Sequence, residues 1–178
     1  IYFVSNQRDR PEMVNCVFRV AGRQPELWDA VSGERRDLPD WRIEGGRTAV
    51  PLEFAGRQSW FVVFRRRAAP PPKPGVNFPP VTTVATLSGG WEVGFDPKWG
   101  GPEKTTFAAL EDWTKHRDPG IRHFSGRAVY RKSLDYAPPA GAEAKGRVWL
   151  DLGAVRDVAT VRENGRGLGT LWIAPWRG

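Results

Sequence analysis

The 178-residue chain has one cysteine, Cys16, and two histidines, His116 and His123. A single thiol excludes an internal disulfide framework and a cysteine-based zinc cage, and two histidines exclude a multi-histidine metal site. No apolar run approaches the roughly 20 residues of a membrane-spanning helix, so no membrane partner is expected. Nothing at the start reads as a leader peptide, and residue 1 is Ile rather than Met. The chain therefore reads as a piece of something longer. Catalytic signatures are missing too. There is no Gly-x-Ser-x-Gly elbow and no glycine-rich phosphate loop opening a helix; Gly165-Arg166-Gly167-Leu168-Gly169 follows a turn instead. Glu103, Glu111, Asp112, Asp151 and Asp157 lie near aromatics, but nothing marks two of them as the carboxylate pair of glycoside hydrolysis. Cys16 falls on the inward face of a strand pattern, where an inert thiol is expected. No catalytic residue, metal ligand or cofactor is assigned, and a structural calcium ion is left open.

What is present is punctuation and aromatics. Twenty Gly and 16 Pro favour short elements joined by turns, while 40% hydrophobic and 26% charged residues describe globular material. An all-β fold is expected. The formal net charge of +7 raises nucleic acid as a partner. Only six of the 27 basic residues are lysine, and the arginines are scattered, with Arg65-Arg66-Arg67 the densest run. A groove binder concentrates its charge on one face, so nucleic acid is disfavoured, though a basic nucleic-acid-binding domain using that run and the proline-rich stretch beside it stays as an alternative.

Along the chain, Ala68 to Gly75 and then Pro79-Pro80 form a proline-rich segment that cannot pair inside a sheet. Three regions follow: residues 1–67, a linker over 68–84, and residues 85–178. In the first, Val14, Cys16, Phe18 and Val20 alternate with polar or outward positions, as do Val50, Leu52 and Phe54, with Pro51 pointing to a sheet edge or bulge. Ile1–Val4 and Trp60–Phe64 read as strands buried on both faces, and Val31 to Glu34 as a hairpin turn. A small antiparallel β-sandwich is the result. In the last region, Trp91–Phe95, Arg127–Leu134, Arg147–Leu152 and Val155–Arg162 read as strands. Phe107, Leu110 and Trp113 suggest one amphipathic helical turn, and Asn164-Gly165 is a strong type I′ hairpin signal.

Nine Trp among the aromatics are the positive chemical signal, because a flat ring with an N–H suits the mixed surface of a sugar. Trp91, Trp99 and Trp113 are the candidate stacking residues, with His116 and Arg117 as hydrogen-bond donors.

Specific strings then become recognisable: Leu110-Glu111-Asp112-Trp113-Thr114, Ile121 to Leu134, Leu150-Asp151-Leu152-Gly153, Asn164-Gly165 and Leu168 to Trp172. They resemble the galactose-binding-like jelly-roll domain of family 2-type glycoside hydrolases and, in detail, the C-terminal part of glycoside hydrolase family 106, the α-L-rhamnosidases. Tyr2 to Asn6, Gln24 to Asp29 and Gly33-Glu34 resemble the β-sandwich that precedes the jelly roll there. The resemblance implies a small antiparallel β-sandwich followed by a truncated jelly roll, and an upstream catalytic barrel of the same polypeptide as partner. That barrel would supply the paired carboxylates, and carbohydrate is a further candidate partner. It also suggests, by family alone, a secreted or periplasmic location. A stand-alone lectin-like carbohydrate-binding module is the other alternative.

Overall fold

The computed structural model describes residues 1–68, 75–137, 148–174 and 176–177. Packing divides the chain into two compact units, Ile1–Val81 with Arg147–Gly178, and Thr82–Gly146. The expected all-β, antiparallel sandwich architecture is the one observed.

Seven strands open the first unit: β1 (Tyr2–Ser5), β2 (Glu12–Phe18), β3 (Glu26–Trp28), β4 (Arg35–Asp37), β5 (Arg42–Glu44), β6 (Arg47–Phe54) and β7 (Ser59–Val63). They pair antiparallel into a sheet of order β1-β7-β3-β4 and a second of order β2-β6-β5. The period-two pattern explains the layering. Phe18 from β2, Leu27 from β3, Val50, Leu52 and Phe54 from β6 and Val62 from β7 share one core with Leu38, and Tyr2, Val4, Cys16 and Trp60 pack against it. Thr48 points the same way as Val50, and its buried hydroxyl donates to the Val20 carbonyl at 2.6 Å.

Three expectations change here. The run Ile1–Val4 is not buried on both faces: β1 is an edge strand, and Phe3 stands 61% exposed on its outer side. The alternation of β2 ends at Phe18, which leaves Val20 outside the strand. Pro51 lies in the middle strand of its sheet, but β5 pairs only with Arg47–Ala49. Opposite Pro51 the second neighbour has already ended, so the missing N–H breaks no ladder bond. The Asn77 side chain fills that gap, donating to the Pro51 carbonyl at 2.9 Å and to the Asp40 carbonyl at 2.7 Å. Of the expected linker, residues 69–74 lie outside the described residues. The stretch that follows is a strap on the sandwich, with Asn77 buried and Phe78 packed 6.3 Å from Trp60.

In the second unit β8 (Trp91–Gly94), β9 (Thr105–Phe107), the short helix α1 (Pro119–Arg122) and β10 (Val129–Arg131) surround Val93, Phe95, Phe107, Ile121 and Phe124. The sheet order is β10-β8-β9. The helical turn expected across Thr106–Thr114 does not form. Phe107 closes a strand, Leu110 is exposed, and one 3-10 turn spans Trp113–Lys115. The strand expected over Arg127–Leu134 shortens to β10.

Within residues 148–177, β11 (Ala159–Glu163) and β12 (Arg166–Leu171) form a hairpin. Its turn has φ 48° at Asn164 and 81° at Gly165, the positive pair that a type I′ turn requires. Nothing lies within 4 Å of where a Cβ on Gly169 would stand, and its φ of 133° is the reason for glycine there. Instead of a strand over Arg147–Leu152, the described residues there make one bridge, Asp151 to Arg177.

The core predicts its own mutational profile. Leu52→Ala, at a site with no exposure, costs about 2–5 kcal/mol. Met13→Ala, 76% exposed on the neighbouring strand, changes stability by less than about 0.5 kcal/mol. Urea unfolding of the two variants checks both.

Candidate functional site

The loops of the second unit are built with one repeated device. Asp96, Asp112 and Asp118 each sit in extended backbone, and each side chain accepts from the N–H two residues on: Lys98 at 3.0 Å, Thr114 at 3.0 Å and Gly120 at 2.8 Å. This satisfies the first orphan donors of three single turns and stiffens loops that carry little regular structure. Pro97 and Pro119 follow two of these caps at positions whose N–H would be unpaired anyway.

The five expected residues fall in different environments. Trp99 ends the turn Pro97–Trp99 and stands 69% exposed, an open aromatic face. Arg117 is exposed. Their loops meet through glycine, since a Cβ on Gly120 would lie 2.5 Å from the Gly100 carbonyl oxygen. Trp91 is half-buried on β8, with the Lys132 ammonium 5.2 Å from its ring centre and held there by the Gly90 carbonyl at 3.0 Å. Trp113 packs edge-on against Phe95 at 5.3 Å and Phe124 at 6.0 Å, and its indole N–H donates to the Tyr130 hydroxyl at 2.5 Å. Burial pushes the Tyr130 hydroxyl above its ordinary value, despite that bond. His116 stacks on Phe107 at 5.3 Å. Its Nδ1 accepts from the Asp118 N–H at 3.0 Å, so the neutral ring carries its proton on Nε2, 3.7 Å from a Glu111 oxygen. Trp99 and Arg117 thus face solvent, while Trp113 and His116 are bound into the aromatic core.

Elsewhere among the described residues, five carboxyl groups have partners that hold them low. Asp9 is hydrogen-bonded by Arg57 at 2.6 and 3.0 Å, Glu12 by Arg10 and Arg8, Glu92 by Lys104, and Asp151 by the Gly153 N–H and Arg177. Glu26 is pushed up by burial, but bonds from Arg66, Trp28 and Arg65 outweigh that and leave it lowered. The Cys16 thiol is raised by burial, away from nucleophilic chemistry. Among the described residues no cluster of three or more His, Cys, Asp or Glu could hold a metal ion. No helix among them is long and apolar enough to cross a membrane. Sequence reading passed over a second set of residues. Phe3, Phe61, Trp28 and Arg35 fall in one cross-strand row on the outer face of the β1-β7-β3-β4 sheet. The Glu-Leu-Trp-Asp string held the signal, since Trp28 and Leu27 must face opposite ways on a strand.

Comparison with known proteins follows the same lines. The profile of the α-L-rhamnosidase family, glycoside hydrolase family 106, matches residues 1–42. The solved structure of a rhamnosidase from Novosphingobium sp. PP1Y superposes with a TM-score of 0.83 at 40% sequence identity, over 99% of this chain. The chain is thus similar in sequence and fold to part of a rhamnosidase, and its first 42 residues match family 106. A provisionally named β-glucuronidase of Formosa agariphila is 36% identical over 91 residues, 51% of the chain. The chain spans 16% of the Novosphingobium protein and 8% of the Formosa protein, both far longer polypeptides.

The Trp113–Tyr130 bond gives a direct test of the second unit. Tyr130→Phe leaves a half-buried indole N–H without its acceptor and costs about 1–2 kcal/mol, read from urea unfolding followed by tryptophan emission.

Proposed function

We infer that this chain is a non-catalytic β-sandwich region of an α-L-rhamnosidase-like glycoside hydrolase, acting as a support for the catalytic barrel of the same polypeptide. The observation that carries the reading is full-length likeness to about a sixth of a rhamnosidase. A second supports it. A glycosidase general acid needs a carboxyl pushed above its usual range beside a second carboxylate. Among the described residues, the carboxyls Asp9, Glu12, Glu26, Glu92 and Asp151 go the other way, each against a partner. Carbohydrate contact, if the second unit makes it, belongs to Trp99 and Arg117, whose side chains reach solvent, with Trp91 at the sheet; Trp113 and His116 would act by holding the loops. The densest arginine run favours this over nucleic-acid binding, since Arg65 and Arg66 are engaged by Glu26 and Asp37.

The chain is expected to release no aryl alcohol from an aryl α-L-rhamnoside, whereas a longer polypeptide that includes the barrel does. Turnover by the 178-residue chain alone contradicts the reading.

A further inference from the structure

The outer face of the four-stranded sheet carries chemistry that a purely supporting role does not use. Register sets Phe3 opposite Phe61, Phe61 opposite Trp28 and Trp28 opposite Arg35, one residue from each strand in the order β1, β7, β3, β4. With strands about 4.8 Å apart the row is about 14 Å long. Phe3 and Phe61 lie with ring centres 5.2 Å apart, and the Arg35 guanidinium carbon sits 4.3 Å from the Trp28 ring centre. Beside them is a hollow of about 220 Å³ lined by Trp28, Asp29, Ala30, Gly33, Arg35 and Phe61. That is below the roughly 300 Å³ at which sites for drug-sized ligands begin, a size for one ring rather than a deep-seated chain.

The parts are held in place before any ligand arrives. The Trp28 indole N–H donates to Glu26 at 3.1 Å, which fixes the plane of the ring, and Arg65 lies 5.5 Å from the same ring. The hollow's turn is closed by Asp29, whose carboxylate accepts from the Val31 N–H at 2.9 Å and the Ser32 hydroxyl at 2.7 Å and so is directed into the loop. Arg35 has no carboxylate partner among the described residues and is exposed. A guanidinium stacked on an aromatic face loses less freedom when its planar fork takes up a carboxylate or sulfate. Phe61, next in the row, offers an apolar ring to the other side of such a ligand.

We propose that this face binds an anionic sugar unit, with its acidic group on the Arg35 fork, its ring against Phe61, and a neighbouring unit of the glycan over Phe3. The sugar class rests on the reading of the chain as part of a carbohydrate-active polypeptide; the anionic preference rests on the stacked arginine, which has no carboxylate partner among the described residues. A protein segment is the competing occupant, and an acidic peptide distinguishes it.

The test is calorimetric titration of the 178-residue chain with an oligogalacturonide, a sulfated oligosaccharide, a neutral rhamno-oligosaccharide and an oligoglutamate peptide. Binding of either anionic glycan, weakened at least about tenfold by Arg35→Ala, is the expected result. Phe3→Ala, at the exposed end of the row, weakens a trisaccharide more than a single uronic acid. Both substitutions are on edge strands at exposed sites, and an unchanged urea midpoint shows that the fold is intact. Heat with none of the glycans, equal binding of the neutral one, tighter binding of the peptide, or binding untouched by Arg35→Ala overturns the proposal. Any of these leaves the aryl rhamnoside assay, and with it the supporting role, as it was.

Discussion

Glu26 keeps 3% of its side chain in contact with water, and it stays ionised only because three donors converge on it: Arg65, Arg66 and the Trp28 indole. An uncompensated carboxylate at that depth is costly, so wherever the strands run, these donors must come with it. The constraint organises one side of the first unit. Arg66 also reaches Asp37 on β4, so the cluster joins β3, β4 and the exit of β7. Backbone bonds from Gln24 to Arg66 and from Ala68 to Gly22 continue the pairing past the end of the strand. The exit of β7 is held in place, and the plane of Trp28, with Arg35 stacked on it, is set by the same carboxylate.

The second unit solves a different problem. Its described residues make three short strands, two 3-10 turns and one turn of α-helix, too little regular structure to position side chains by ladder bonds alone. Aromatic packing and aspartate caps take over. Phe95 touches Phe107, Trp113 and Phe124, and Gly101 is required because a Cβ there would lie 2.5 Å from Phe95. A large ring in this unit is therefore as much a fastener as a binding surface, and exposure separates Trp99 from Trp113.

The parts of the fold that were legible in the sequence are those fixed by local rules. Val50, Leu52 and Phe54 face the core because a strand alternates, and Asn164-Gly165 turns because two positive φ angles are needed. The misreadings occur where a neighbour decides. Ile1–Val4 is apolar throughout, yet among the described residues no strand lies beyond β1, so Phe3 is left outside. Phe107, Leu110 and Trp113 have helical spacing, but pairing of Phe107 with Trp91 claims it for a strand. The same holds for the residues proposed to contact ligand. Trp99 and Arg117 are marked by their loops, whereas the row from Phe3 to Arg35 joins residues 32 and 58 positions apart and exists only once the register is set.

The measurement that bears most directly on this account is unfolding free energy against pH for the native chain and Glu26→Gln. The folded-state pKa of Glu26 is lowered from about 4.5, so its stabilisation is present above that value and fades as pH falls through the lower folded-state value. The native chain should be the more stable of the two at pH 7, with the gap closing below about pH 4.5. A gap that is absent at pH 7, or that persists unchanged into acid, contradicts the central place given to this carboxylate.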